Sequence, residues 1–283
     1  MNSSKRTLLT SDGVRIAYCD EGEGPVALLL HGMLCHSGHW IFQREVLLAA
    51  GYRVVSIDLR FHGDSDAPTH GFQICRMAED VADVIKAAEL HDISLIGHSM
   101  GVSVALAYIS LHGIGAVSRL VAIDQAPRIM NDSTWAWGVR HVEWATFEEQ
   151  IHGRMTWSEF EREPETPPYV QRLLEEQGMP DDFFASPLAL RVDHFVADWR
   201  DVLPTIDVPA WVVTGAHSPS FPLEGMEWVA ETLPQGRLTV YPNSGHSPHW
   251  NEFEDFNRDL LAFLAEDAPT ISTGTPSVER ASR

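Results

Sequence analysis

The segment Gly97-His98-Ser99-Met100-Gly101 constrains this chain more than any other, because of what stands on either side of it. Ile93–Ile96 before it reads as a short buried strand, and Val102–Ser110 after it reads as a helix of small residues. A strand that turns directly into a helix brings two backbones together. Glycines two before and two after the serine permit that approach because they carry no Cβ. The serine at the apex is exposed and strained, which a hydroxyl needs if a base is to make it a nucleophile. Such pentapeptides are common as bare patterns; the strand–turn–helix context makes this one informative. The same turn aims the Met100 N–H, at the start of a helix, toward an oxyanion forming beside Ser99.

Around this turn, β-rich runs alternate with helical patterns, which predicts a mostly parallel sheet covered by helices on both faces. Thr7–Thr10 and Val14–Cys19, joined through Ser11-Asp12-Gly13, form an expected antiparallel hairpin. Val26–Leu30, Tyr52–Leu59, Leu120–Ile123, Ala210–Thr214 and Arg237–Tyr241 are the other expected strands. Ile74–Leu90 carries an apolar stripe at helical spacing, and a last helix spans about Glu252–Ala265. From about Arg128 to Arg200 the pattern changes to proline-punctuated short helices rich in aromatic residues. The expected organisation is therefore a core of residues 1–127 and 201–266, a helical cap over 128–200, and a disordered Pro/Thr/Ser/Gly tail at 267–283.

These features resemble the α/β-hydrolase superfamily over about residues 5–265. The resemblance rests on His31-Gly32 after the Val26–Leu30 strand, on Asp58-Leu59-Arg60-Phe61-His62-Gly63-Asp64-Ser65, on the elbow, and on Ser244-Gly245-His246 after the last strand. It implies the α/β-hydrolase fold and a Ser–acid–His order along the chain, which makes His246 the base and His249 a rival. It also implies a second oxyanion donor at the Met33 N–H, with His31 orienting that loop. His98 is expected to point away from Ser99. Family members commonly carry R-G-H-G-x-S where this chain has Phe61, so a bulky ring stands near a structural turn.

The acid departs from the usual pattern. Many members place an Asp in the loop after the strand equivalent to Ala210–Thr214, but that loop reads Gly215-Ala216-His217-Ser218, with Ser218 in its place. A base histidine needs a carboxylate to fix its tautomer and stabilise its cation. Asp124, in Ile123-Asp124-Gln125-Ala126-Pro127, stands at a strand C-terminus, and some esterases of the superfamily take their acid there. Asp124 is therefore the expected acid, with Asp207 and Glu224 as alternatives. Leu34, His36, Trp137, Trp157 and His217 are candidate substrate contacts, and Cys35 is a candidate pocket wall.

Composition narrows the partners. Twenty Lys and Arg against forty Asp and Glu give a net charge of −20, which disfavours nucleic acid. Three cysteines in no paired motif suggest neither a disulfide framework nor a zinc site, and fit a reducing cytoplasm. No signal peptide is read at the N-terminus, and no apolar run approaches the ~20 residues of a membrane span. No metal or cofactor is expected. The expected activity is cleavage of a small ester or lactone with an apolar or aromatic group. Perhydrolysis of the non-haem haloperoxidase kind and cofactor-free ring-cleaving dioxygenation stand as rivals on the same fold. Met100 stands where the dioxygenases carry a histidine after the elbow serine. A non-catalytic ligand-binding protein is the rival of another class.

Overall fold

The computed structural model describes residues 5–152 and 186–266. Eight strands form one sheet: β1 (Lys5–Leu9), β2 (Arg15–Glu21), β3 (Val26–Leu30), β4 (Arg53–Ile57), β5 (Ile93–His98), β6 (Val117–Ile123), β7 (Ala210–Gly215) and β8 (Gly236–Tyr241). Their order across the sheet is β1-β2-β4-β3-β5-β6-β7-β8. The hairpin β1–β2 and the β2–β4 pair are antiparallel, and every later pairing is parallel. This is the α/β-hydrolase fold that the resemblance implies, with the mostly parallel sheet that the alternation of elements predicts.

The strands are nearly continuous apolar runs because both sheet faces are covered. Along β3, Leu28 and Leu30 join one core with α2 (Ile74–Ala87) and α3 (Met100–His112). Ala27 and Leu29 join the other, against α1 (Ile41–Ala49) and the C-terminal helix, whose Phe256, Leu260 and Phe263 fill it. α2 keeps its stripe of Ile74, Met77, Val81 and Val84 fully buried. The remaining described helices are α4 (Phe147–His152), α5 (Leu188–Val196), α6 (Leu223–Thr232), the single turn α7 (Pro248–Asn251) and α8 (Phe253–Ala265). α6 went unread in the sequence.

Of the expected cap, residues 153–185 lie outside the described residues, as do Trp157 and the tail 267–283. The described part carries no ladder strand, only isolated bridges such as Arg128–Asp198. It has its own small core of Ile129, Met130, Val142, Ile151 and Phe195.

The chain leaves β3 for β4 on one side and β5 on the other. The crevice outside the carboxyl ends of these strands is where open α/β sheets place ligands. Met33 follows β3, Ser99 follows β5, Asp124 follows β6, Ser218 follows β7 and His246 follows β8.

Candidate active site

Ser99 joins β5 to α3 with φ +51° and ψ −125°, a conformation that costs a non-glycine residue about 1–3 kcal/mol. Close packing holds it there. A Cβ on Gly101 would stand 2.1 Å from the Leu30 carbonyl oxygen, and one on Gly97 would stand 2.7 Å from the Val102 nitrogen. The Ser99 N–H donates to the Ile123 carbonyl at 2.9 Å, which ties the turn to β6. Met100 is the first residue of α3, so its N–H is among those a helix leaves without an intrahelical partner.

His246 sits in the loop between β8 and α7. The Asn243 N–H and the Ser244 hydroxyl both donate to Glu252, at 2.9 and 2.6 Å, and fix this loop. The His246 Nδ1 lies 2.6 Å from Asp124 Oδ2. A carboxylate only accepts, so this contact puts the ring proton on Nδ1 and leaves Nε2 with the lone pair. Asp124 is fully buried, at φ +44°, and accepts from Thr214 Oγ at 2.5 Å and Ser218 Oγ at 2.7 Å. Ser218 thus donates to a carboxylate from the place where that carboxylate usually stands. Asp207 accepts from Gln235, and Glu224 lies in the first turn of α6; neither is the partner of His246.

The other histidines have structural partners. The His31 Nδ1–H donates to the Gly32 carbonyl at 2.7 Å, while Nε2 accepts from the Leu59 N–H at 3.1 Å. Those roles require a neutral ring, and burial pushes its pKa down to about 3. The Cys35 N–H closes a turn on the Gly32 carbonyl at 3.2 Å, which carries Met33 over the elbow. The His98 Nε2–H donates to the His246 carbonyl at 3.1 Å, so this ring points from Ser99 toward the base loop. Burial, with His249 and His246 nearby, holds His98 well below the ordinary histidine range. His249 is buried between the rings of Trp40 and His98.

Ser99 and His246 open onto a cavity of about 60 Å³, also lined by Met33, Gln125, Ile129, Val139, His194, Phe195, Ser220 and Phe221. Four candidate contacts stand elsewhere. Leu34 is buried at φ +67° in the Gly32–Cys35 turn. The His36 ring caps the helical turn Ser37–Trp40 by accepting from the Gly38 N–H. Trp137 packs edge-to-face with Trp135 and at a tilt against Trp228. His217 is exposed, and only its backbone N–H reaches the Ser244 carbonyl. Cys35 is not a pocket wall either: it is buried against Trp250, where burial raises its thiol to about 12. Leu34, Cys35, His36 and His217 are candidates through nearness in sequence to a catalytic loop, and Trp137 as an aromatic of the cap. The residues that do line the cavity come from loops and helices brought together only by folding. A usable signal was the apolar face of α5, where His194 and Phe195 follow Leu190 at helical spacing.

Among the described residues no cluster of metal-binding side chains occurs, and no helix is long and apolar enough to cross a membrane.

The sheet, the strained serine turn and the carboxylate–imidazole pair together describe a hydrolase scaffold, and the chain belongs to the Alpha/beta hydrolase family, which it matches over residues 27–259. It is 28% identical over 270 residues to a non-heme chloroperoxidase of Kitasatospora aureofaciens, covering 90% of this chain and 98% of that protein. It is 27% identical over 276 residues to a bifunctional esterase/perhydrolase of Acinetobacter calcoaceticus, covering 90% and 98%. Among solved structures, an esterase from Exiguobacterium antarcticum superposes with a TM-score of 0.79 at 26% identity, covering 92% of this chain and 99% of that one.

Proposed function

We propose that this protein is a serine hydrolase that cleaves a small carboxylic ester or lactone through an acyl-enzyme. The observation that carries the reading is the 2.6 Å contact between His246 Nδ1 and the buried Asp124, at a ring that shares its cavity with Ser99. In this reading His246 Nε2 takes the Ser99 proton as Oγ bonds to the scissile carbonyl carbon. The Met33 and Met100 N–H groups hold the resulting oxyanion, each worth about 3–4 kcal/mol in comparable sites. His246 then gives the proton to the departing alkoxide. Water repeats the sequence on the acyl-enzyme, releasing the acid and restoring Ser99.

The lining favours a compact, largely apolar group beside Ser99. Met33, Ile129, Val139, Phe195 and Phe221 supply most of the wall. A cavity of about 60 Å³ is small beside the roughly 300–1,000 Å³ of most ligand pockets. Fluorophosphonate labelling and 4-nitrophenyl acetate turnover are expected in the wild type and lost in Ser99→Ala. Labelling retained in that variant refutes the assignment of the nucleophile.

The relatives favour one second reading on the same residues, in which hydrogen peroxide replaces water as acyl acceptor and releases a peracid. The test is halogenation that depends on both acetate and peroxide. Halogenation faster than ester hydrolysis supports the second reading over the first.

A further inference from the structure

The cavity beside Ser99 contains a polar group that the proposed mechanism does not use. His194, on α5, lines it together with Ser99 and His246 and is only 5% exposed. Its Nδ1 is enclosed with no hydrogen-bond partner among the described residues. Burial lowers its pKa to about 4, so near pH 7 the ring is neutral, with one N–H and one lone pair. A buried polar atom without a partner is costly and calls for an explanation; of the several such atoms among the described residues, His194 Nδ1 belongs to the ring that lines the cavity beside Ser99. The neighbours Leu190 and Phe195 show that an apolar side chain would complete this face without that cost.

We propose that His194 is a substrate-recognition residue, and that the compact acyl group of the substrate carries a hydroxyl or carbonyl oxygen for it to meet. The substrate class is then an ester or lactone of a short hydroxy- or oxo-acid. The surrounding wall is mostly hydrocarbon, which suits a short chain and leaves few places for a polar substituent to pair. Among the described residues that line the cavity none is Lys or Arg, which favours a neutral oxygen over a carboxylate or phosphate. A neutral imidazole donates through one nitrogen and accepts through the other, so it serves a hydroxyl or a carbonyl. This inference rests on the ester-hydrolase reading.

The test compares ethyl butanoate with ethyl 3-hydroxybutanoate and ethyl 3-oxobutanoate in a pH-stat, each rate normalised to the hydroxide-catalysed rate of the same ester. The wild type is expected to show a kcat/KM at least about tenfold higher for the oxygenated esters, the discrimination an unpaired buried polar group produces. In His194→Phe the ratio should fall to near one, and His194→Gln, which keeps a donor and an acceptor, should restore part of it. A wild-type ratio near one with Ser99-dependent turnover overturns this inference and leaves the ester reading standing. A ratio undiminished in His194→Phe overturns it as well. Failure of the wild type to turn over any of the three esters, with no fluorophosphonate labelling, overturns the ester reading and this inference with it.

Discussion

Acid should destabilise this protein well before its carboxylates protonate. Burial, the largest cause in each case, depresses six histidines: His31 and His39 to about 3, His194 to about 4, His98 and His249 well below the ordinary range, and His62 below it. Unfolded, each takes up a proton near pH 6.5; folded, His31, His39 and His194 resist until about pH 4 or lower. Between those values the unfolded chain binds more protons, so stability falls as pH falls. From pH 7.5 to 5.5 each of His31, His39 and His194 removes about 1.4 kcal/mol, and the three together remove roughly 4 kcal/mol, with the other three acting in the same direction. That is a large share of the stability of an ordinary domain, about 5–15 kcal/mol. Asp58 acts in a different window. Burial opposes its ionisation, but the Ser37 hydroxyl and the Asp64 and Ser37 N–H groups outweigh burial and hold it at about 2. Its contribution is therefore complete above pH 4 and is lost only as pH falls toward 2.

Urea titrations followed by tryptophan fluorescence at pH 7.5, 6.5 and 5.5 measure the effect. With a slope near 3 kcal/mol per molar, the midpoint should fall by at least about 1 M across the range. His249→Phe removes one titrating ring from among Trp40, His98 and Phe256, and should make the pH dependence shallower by about one proton. A midpoint that stays flat from pH 7.5 to 5.5 refutes the argument, because the buried rings would then be charged in the native state.

Four further substitutions test the site and its frame. Asp124→Asn should lower kcat by about three to four orders of magnitude, and adding Ser218→Asp should recover at least about tenfold, since Ser218 Oγ is 2.7 Å from the carboxylate oxygen that meets His246; a double variant no faster than the single shows that position 218 cannot supply the acid. Gly101→Ala sets a Cβ 2.1 Å from the Leu30 carbonyl, so soluble folded protein and fluorophosphonate labelling should both be lost, and a normal yield of active protein would contradict the packing argument. Asp80→Ala leaves the buried Arg60 guanidinium without its two-point partner, bonded at 2.5 and 2.6 Å, and should cost about 3–5 kcal/mol by urea titration.

What the sequence revealed follows from which interactions are local. The elbow was legible because strand, glycines and helix lie within twenty residues and each constrains the next. The same holds for the His31 loop, whose expected orienting role the Gly32 and Leu59 contacts bear out. Phe61 was legible only as a departure. It takes φ +70° where a glycine is common in the family, and its ring stacks on Phe72 with centroids 5.1 Å apart. The cavity wall was not legible. Gln125, Ile129, His194 and Phe221 meet there because the segments that follow β6 and β7 fold over Ser99, and no periodicity within one segment encodes that meeting. Trp137 misled for the complementary reason: an aromatic in a cap is as useful for packing on Trp135 and Trp228 as for meeting a ligand.

The position of Asp124 follows from sheet geometry. β6 and β7 are parallel neighbours with Ile123 opposite Val213, so Asp124 and Thr214 leave the sheet at the same level. The Asp124 N–H donates to the Val213 carbonyl at 2.8 Å, which fixes that level. A carboxylate from the end of either strand therefore reaches the same imidazole. What differs is its burial: Asp124 is fully enclosed, and an enclosed carboxylate is tolerable only with its lone pairs occupied. Thr214, Ser218 and the His246 Nδ1–H occupy them from three directions. The β7 loop has thus kept its place in the site while changing its part. It supplies donors that hold a carboxylate rather than the carboxylate itself, and a search for an acid in that loop alone would find none in a site whose carboxylate–imidazole pair is complete.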